Sequence, residues 1–332
     1  MKKFTKVIAS ALCLSMVFAM TACSNGKTAG GNASDGGDKE VYNIGICQLV
    51  EHVALDAATE GFKDALKEKL GDNVKFDEQN AAGDTATCAT IVDGFVASEV
   101  DLILANATSP LQAAASATTV IPILGTSVTD YATALDESDW TGTTGRNISG
   151  TSDLAPLTEQ AAMVKELFPD AKNVGLLYCA GEPNSKYQVD VINKELTDLG
   201  YTCEYFAFTD SNDIQTVTEN AAATSDVIYI PTDNTAAAST DVIDNVCRPA
   251  GVPIIAGEEG ICKGCGVATL SISYYDLGYT TGEMAYEILV NGADVSTMEI
   301  KYAPNVTKEY NAEICEALEI TIPEGYEAIA TE

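Results

Sequence analysis

From residue 42 onward, short apolar runs alternate with stretches in which apolar residues recur every three or four positions, and the alternation runs through the chain twice. Residues 42–47, 74–76, 102–105 and 121–124 read as strands. Between the first two, Leu55, Ala58, Phe62, Ala65, Leu66 and Leu70 fall on one helical stripe, and Cys88, Ile91, Val92 and Phe95 make the next. A further helix is predicted to begin at Ser109-Pro110, an N-cap followed by proline at the first helical position. Strands apolar on both faces and separated by helices belong to a parallel sheet covered on each side.

After Gly150 the pattern starts again. Helices are predicted over 157–167, 185–199, 214–222 and up to about 246, with strands at 174–178, 203–208, 227–230 and 253–256. The folded part exceeds the roughly 250 residues at which a single core stops growing. Two α/β lobes are therefore expected, each a doubly wound parallel sheet.

The N-terminus carries a different signal. Lys2, Lys3 and Lys6 precede an apolar run over residues 7–20 that ends in Met20-Thr21-Ala22-Cys23. This is the layout of a secretory signal closed by a lipid-accepting cysteine. The run is shorter than the roughly 20 residues a spanning helix needs. Residues 1–22 are thus read as a signal peptide and Cys23 as the lipidated mature N-terminus. Residues 23–40, glycine-rich and aperiodic, are read as a flexible tether of roughly 20–25 Å reach. The expected location is the outer face of the cytoplasmic membrane, held there by acyl chains.

Charge narrows the partners. The formal net charge is −31, and loss of residues 1–22 removes three lysines and no acid, taking it to −34. Such a surface repels phosphate backbones, so nucleic acid is not an expected partner. With a hydrophobic fraction of 46%, the body is nonetheless rich enough to build large cores.

Catalytic and metal motifs are sparse. The single histidine, His52, has no nucleophile and acid at recognisable spacing, and reads as a satisfied polar group near the first helix. No Gly-x-Ser-x-Gly elbow or HExxH motif argues for a hydrolase. Cys47, Cys88 and Cys179 lie in apolar elements like ordinary small core residues. Cys262-Lys263-Gly264-Cys265 has redox or half-zinc spacing, but nothing nearby completes a tetrahedral set, so it is read as a loop pair. No enzyme activity, cofactor or metal is expected.

Binding chemistry should sit beyond the carboxyl ends of the strands, where helix N-termini also point. Those positions are rich in amides, hydroxyls and carboxylates: Gln48, Asn80, Thr108, Ser109, Asp130, Glu182, Asn184, Ser185, Asp233, Asn234 and Glu258. Ser109, Asn184, Ser185, Asp233 and Asn234 are also good helix caps, and capping accounts for any one of them alone. The whole set suits hydrogen bonding to a small polar molecule.

The run from Ile44 to Asp56 with Gly61-Phe62, followed by Asn80-Ala81-Ala82-Gly83-Asp84, Gly181-Glu182-Pro183-Asn184-Ser185, Pro231-Thr232-Asp233-Asn234-Thr235 and Ser273-Tyr274-Tyr275-Asp276, resembles the ABC-transporter substrate-binding lipoproteins of the tryptophan/tyrosine-binding type. At Asp130-Tyr131 members usually carry Asp-Pro. The resemblance implies a type I periplasmic-binding-protein fold with three chain crossings, near 150–153, 273–275 and 303–305. Lobe one would hold 41–152 plus 274–303, and lobe two 153–273 plus 304–332. It further implies a monomeric receptor that closes on a small solute, an amino acid and an aromatic one among the options, and delivers it to an ABC permease driven by a cytoplasmic ATPase. Thr108-Ser109 and Asn184-Ser185 would receive the carboxylate. Asp233, Glu182, Asp130 or Glu258 would meet the ammonium, with Tyr131, Tyr274 or Tyr275 beside the side chain. A nucleoside or other small-metabolite receptor, or a sensor presenting ligand to a membrane kinase, are the alternatives.

Overall fold

The alternation folds into two separate sheets. In the computed structural model residues 41–303 and 305–330 are described, so the signal, the tether and Cys23 lie outside the described residues. Strands β1 (Tyr42–Gln48), β2 (Val74–Asn80), β3 (Leu102–Asn106), β4 (Ile123–Val128) and β5 (Ile148–Ser152) form the first sheet. The second contains β6 (Asn173–Cys179), β7 (Thr202–Phe208), β8 (Val227–Ile230), β9 (Ile254–Ala256) and β10 (Ala268–Ser271). Three short late strands complete the pair: β11 (Lys301–Tyr302) joins the first sheet, β12 (Thr307–Tyr310) and β13 (Glu327–Ala328) the second. The orders are β11-β5-β4-β3-β1-β2 and β13-β12-β10-β9-β8-β6-β7. All pairings are parallel except β10 with β12.

Period-two alternation explains why both faces are covered. In β3, Leu102 and Leu104 enter one core with Phe62, Leu66 and Met284, while Ile103 and Ala105 enter another with Val92, Phe95 and Leu111. In β8, Val227 and Tyr229 pack against Val189, Ile192 and Leu196, whereas Ile228 and Ile230 face Ala221, Ile243 and Ile261. Each sheet is thus a sandwiched layer with helices on both sides.

The chain passes between the sheets three times, after Ser152, after Ser271 and after Tyr302. Having left the second sheet, the helix Tyr274–Leu289 returns to the first and crosses the helix Val53–Leu70 with the two backbones touching. Glycine makes this approach possible: a methyl on Gly278 would collide with the carbonyl of Ala58, and one on Gly61 with that of Tyr275.

Several local expectations need correction. The helix predicted to start at Ser109 begins at Thr108, because Ala107 (φ 101°) makes the turn and its carbonyl accepts from Leu111. Cys262 and Cys265 lie in a helix, Glu259–Cys265, rather than a loop; Glu258 caps it through Gly260 and Ile261 N–H groups, and Ile261, Cys262 and Cys265 are buried. The eight cysteines among the described residues are free thiols. Among the described residues no helix is long and apolar enough to cross a membrane.

Candidate functional site

A cleft of about 510 Å³ opens where the strand ends of the two sheets face each other. The first sheet's side is lined by Leu49, Val50, residues 82–85 and Ser109; the second's by Cys179, Gly181, Glu182, residues 209–211, Asn234, Thr235, Ala238 and Ser239. No lysine or arginine is among these lining residues. A second cavity, about 210 Å³, lies nearer the crossings and includes Val53, Glu258, Glu259, Ser271, Tyr274 and Glu309.

Of the residues predicted to bind, the main cleft brings together Ser109, Glu182 and Asn234, and the second cavity Glu258 and Tyr274. The others line neither. Gln48 is spent on its own lobe: its amide donates to Asp56 Oδ1 (2.6 Å) and the Val50 carbonyl, and its Oε1 accepts from Thr59. Asn80 is exposed and accepts from Ala82 N–H, while its followers Ala82 to Thr85 reach the cleft. Thr108 is buried in the first turn of its helix. Asp130 caps the helix Tyr131–Leu135 through Thr133 N–H. Asn184 donates to Glu182 Oε2 and to the Thr232 carbonyl, and Ser185 is fully buried beside it.

Behind the second sheet's wall the polar groups form a closed network. Glu182 Oε1 accepts from Thr235 N–H (2.9 Å) and its hydroxyl (2.8 Å). Its Oε2 accepts from Asn234 N–H (3.1 Å) and Nδ2 (2.6 Å). Asp233 Oδ2 accepts from Cys179 N–H (2.6 Å) and Oδ1 from Ala236 N–H (2.8 Å). Burial, with the Glu182 charge beside it, pushes the Asp233 carboxyl up. Burial raises Glu258 to about 7. The Cys179 thiol is pushed up to about 12 by burial and by the Asp233 and Glu182 charges, which keeps it protonated and unreactive at neutral pH.

One polar contact spans the cleft. His52 Nε2 lies 3.2 Å from Asn234 Oδ1, while His52 Nδ1 is buried without a partner, so the histidine is half satisfied rather than fully so. Of the three tyrosines expected beside the ligand, Tyr131 is core: it stacks on Trp140 and its hydroxyl donates to the Thr151 carbonyl. Tyr275 lines the smaller cavity beside Tyr274, and its hydroxyl donates to Asp64. Tyr274 stays at the lobe junction, its hydroxyl donating to Asp153 Oδ2 (2.9 Å).

Sequence reasoning missed the cleft contributions of residues 209–211 and Ser239.

Two lobes of wound sheets, three crossings and a cleft walled by both define a two-lobed solute receptor. The chain belongs to the ABC transporter substrate binding protein family, whose pattern it matches over residues 43–332. Members are extracytoplasmic binding proteins rather than enzymes. The chain is 38% identical over 298 residues, 87% of its length and 84% of the relative's, to a tyrosine-binding protein of Clostridioides difficile. It is 32% identical to a Streptococcus pneumoniae ABC domain solved with L-Trp, covering 87% of this chain and 100% of that one with a TM-score of 0.83. With the ligand-free, open form of a Clostridium difficile substrate-binding protein with adhesive properties, identity is 36%, coverage 88% and 100%, and the TM-score 0.66. A Thermotoga maritima leucine-binding protein, 16% identical over 74% of this chain and 81% of that one, shares the fold at a TM-score of 0.56.

Proposed function

We propose that this protein captures an aromatic L-amino acid between its lobes and hands it to an ABC permease coupled to a cytoplasmic ATPase. The moving bodies would be residues 41–152 plus 274–303 and residues 153–273 plus 304–332, turning about the three crossings. Cys23, lipidated, would hold the receptor at the membrane, and the tether would keep it close to the permease without fixing its orientation.

The observation that carries this reading is the cleft itself, walled by strand ends of both sheets in a chain 38% identical to a tyrosine-binding protein. A solute touching both walls favours closure, because only then does it bind one arrangement of the lobes better than another. The chain also superposes better on the L-Trp complex (0.83) than on the open ligand-free relative (0.66), despite lower identity with the former. That ordering supports a closed arrangement here. The acidic lining without lysine or arginine suits a ligand that brings its own cation.

A thermal-shift panel tests the reading. L-Tyrosine or L-tryptophan at 100 times Kd should stabilise the protein by ~2.7 kcal/mol. A shift with nucleosides and none with any amino acid would overturn it. The anchor is tested separately: Cys23→Ala should release the protein from the membrane fraction, and retention there would sink the lipid assignment.

A further inference from the structure

Two of the buried thiols meet each other rather than the backbone. Cys179 donates to the Thr209 carbonyl, Cys265 to that of Ile261 and Cys315 to that of Val267. Cys47 and Cys88, from different elements, instead share a hydrogen bond between their side chains.

The packing explains the meeting. The helix Thr85–Ala97 lies on β1 with the Phe95 ring against Gly45, so close that a methyl on Gly45 would collide with it. Cys47 stands two residues further along β1, on the same face of the strand. Cys88 stands two turns before Phe95, on the same side of the helix. The helix therefore runs back over the strand, with Phe95 over Gly45 at one end and Cys88 over Cys47 at the other. Both cysteines are fully buried in one core with Val92 and Leu111.

The two thiols are unlike. The Cys47 S–H donates to Cys88 and holds its value below that of an ordinary thiol, while the same bond, with burial, pushes Cys47 up. Cys88, near the start of its helix, is thus the first to ionise. Members of this family work outside the cytoplasm, where thiols in contact are not kept reduced.

We propose that Cys47 and Cys88 are joined as a disulfide in the exported protein. The oxidant is a small-molecule or protein disulfide. The Cys88 thiolate attacks one of its sulfurs, forming a mixed disulfide and expelling one thiolate; Cys47, deprotonated in turn, attacks Cys88 Sγ and expels the second. The two protons pass through water to the expelled thiolates, so two protein thiols are oxidised and one external disulfide is reduced to two thiols. Entry is through the helix itself. Only Cys88, Val92 and Phe95 of it are buried, and residues 82–87 at its start are exposed, so it can open without global unfolding. The bond closes a loop of about 40 residues. It also fastens the helix whose first residue, Thr85, lines the cleft.

Peptide mapping decides it, on the full protein purified without reductant, exposed to excess oxidised glutathione and alkylated under denaturing conditions. The expected result is a peptide containing Cys47 linked to one containing Cys88, with the other six cysteines of the described residues alkylated. A phosphine reductant should lower the Tm of this form by on the order of 5–10 °C. It should not shift the double variant Cys47→Ala/Cys88→Ala. Alkylation of Cys47 and Cys88 in the oxidised protein would overturn the assignment without needing any variant to fold. So would either one bound to glutathione or to another cysteine, or a reductant shift of the same size in the double variant. No solute enters the mapping, so its failure would leave the amino-acid reading untouched.

Discussion

Two polar regions of the molecule are built on opposite terms. At the second sheet's strand ends Glu182, Asp233 and Glu258 turn their oxygens onto backbone N–H groups at the starts of helices, so these groups are satisfied without a solute. Beside the first sheet's strand ends and the first crossing, Ser127 Oγ, Asp153 Oδ1 and His52 Nδ1 are buried with no hydrogen-bond partner. The first region is preorganised, which limits the ordering cost of binding on the one cleft face that contains Glu182; the second carries a standing cost in unpaired polar atoms.

The sharpest way to break this contrast is to remove Glu182. Glu182→Ala strands the Asn234 and Thr235 donors in a buried site, and should cost about 3–5 kcal/mol of stability and on the order of 10 °C in Tm. Asp153→Asn should do the reverse, since it discharges a buried carboxylate whose partners are neutral hydroxyls; its Tm should equal or exceed wild type. Urea unfolding of both variants checks the pair. Equal destabilisation by the two would mean that the regions do not differ in kind.

Much of the fold was legible because it is written in local periods. The runs that became β1, β3, β4, β6, β8 and β9 alternate between two cores on each sheet, so tertiary packing agrees with the pattern, whereas the edge strands β2 and β7 are largely exposed. Strands β11 and β13 span two residues each and exist only through partners far along the chain. The helix Glu259–Cys265 contains Gly260 and Gly264, which lower its propensity; burial of Ile261 and the Glu258 cap overrule them. In the site the polarity of strand ends was readable, but the distinction between a spent and an unspent carboxylate was not. Asp233 and Asp153 look alike in a string of letters and differ only in what surrounds them.

Within the second lobe the Thr269 hydroxyl and Glu309 are the exceptions among the described residues, and Glu309, being ionisable, is a useful probe. It lines the smaller cavity, its Oε2 has no partner, and burial with the Glu259 and Glu327 charges nearby raises it to about 7. A carboxyl whose folded value lies above its unfolded one stabilises fully below the unfolded value and stops doing so as pH rises through the folded value. Wild-type Tm should therefore decline between pH 5 and pH 8. Glu309→Gln should recover part of that decline, about 1 kcal/mol or roughly 2 °C at pH 8 after allowing for its partial exposure, and change little at pH 5. The remaining slope belongs to groups such as Glu258. No recovery at pH 8 would show that this carboxylate is solvated.

The smallest expected effect concerns the contact between the walls. Asn234 Nδ2 is committed to Glu182, so its Oδ1 faces His52 and requires Nε2 to carry the proton. A second proton would then sit on Nδ1, which is buried and has no acceptor. Burial lowers the His52 value, and the Asn234 bond and the Glu182 and Asp56 charges oppose that only in part. Because protonation is disfavoured in the closed form, closure keeps its full contribution from His52 above about pH 6.5, the ordinary value for an open, solvated imidazole, and loses it as pH falls below. Affinity for the solute should accordingly drop on the order of threefold between pH 7.5 and pH 5.5 through this group. The variant His52→Gln isolates the group: it should flatten the profile by that factor. An unchanged profile would mean that the lobes meet at His52 without His52 sensing whether they have met.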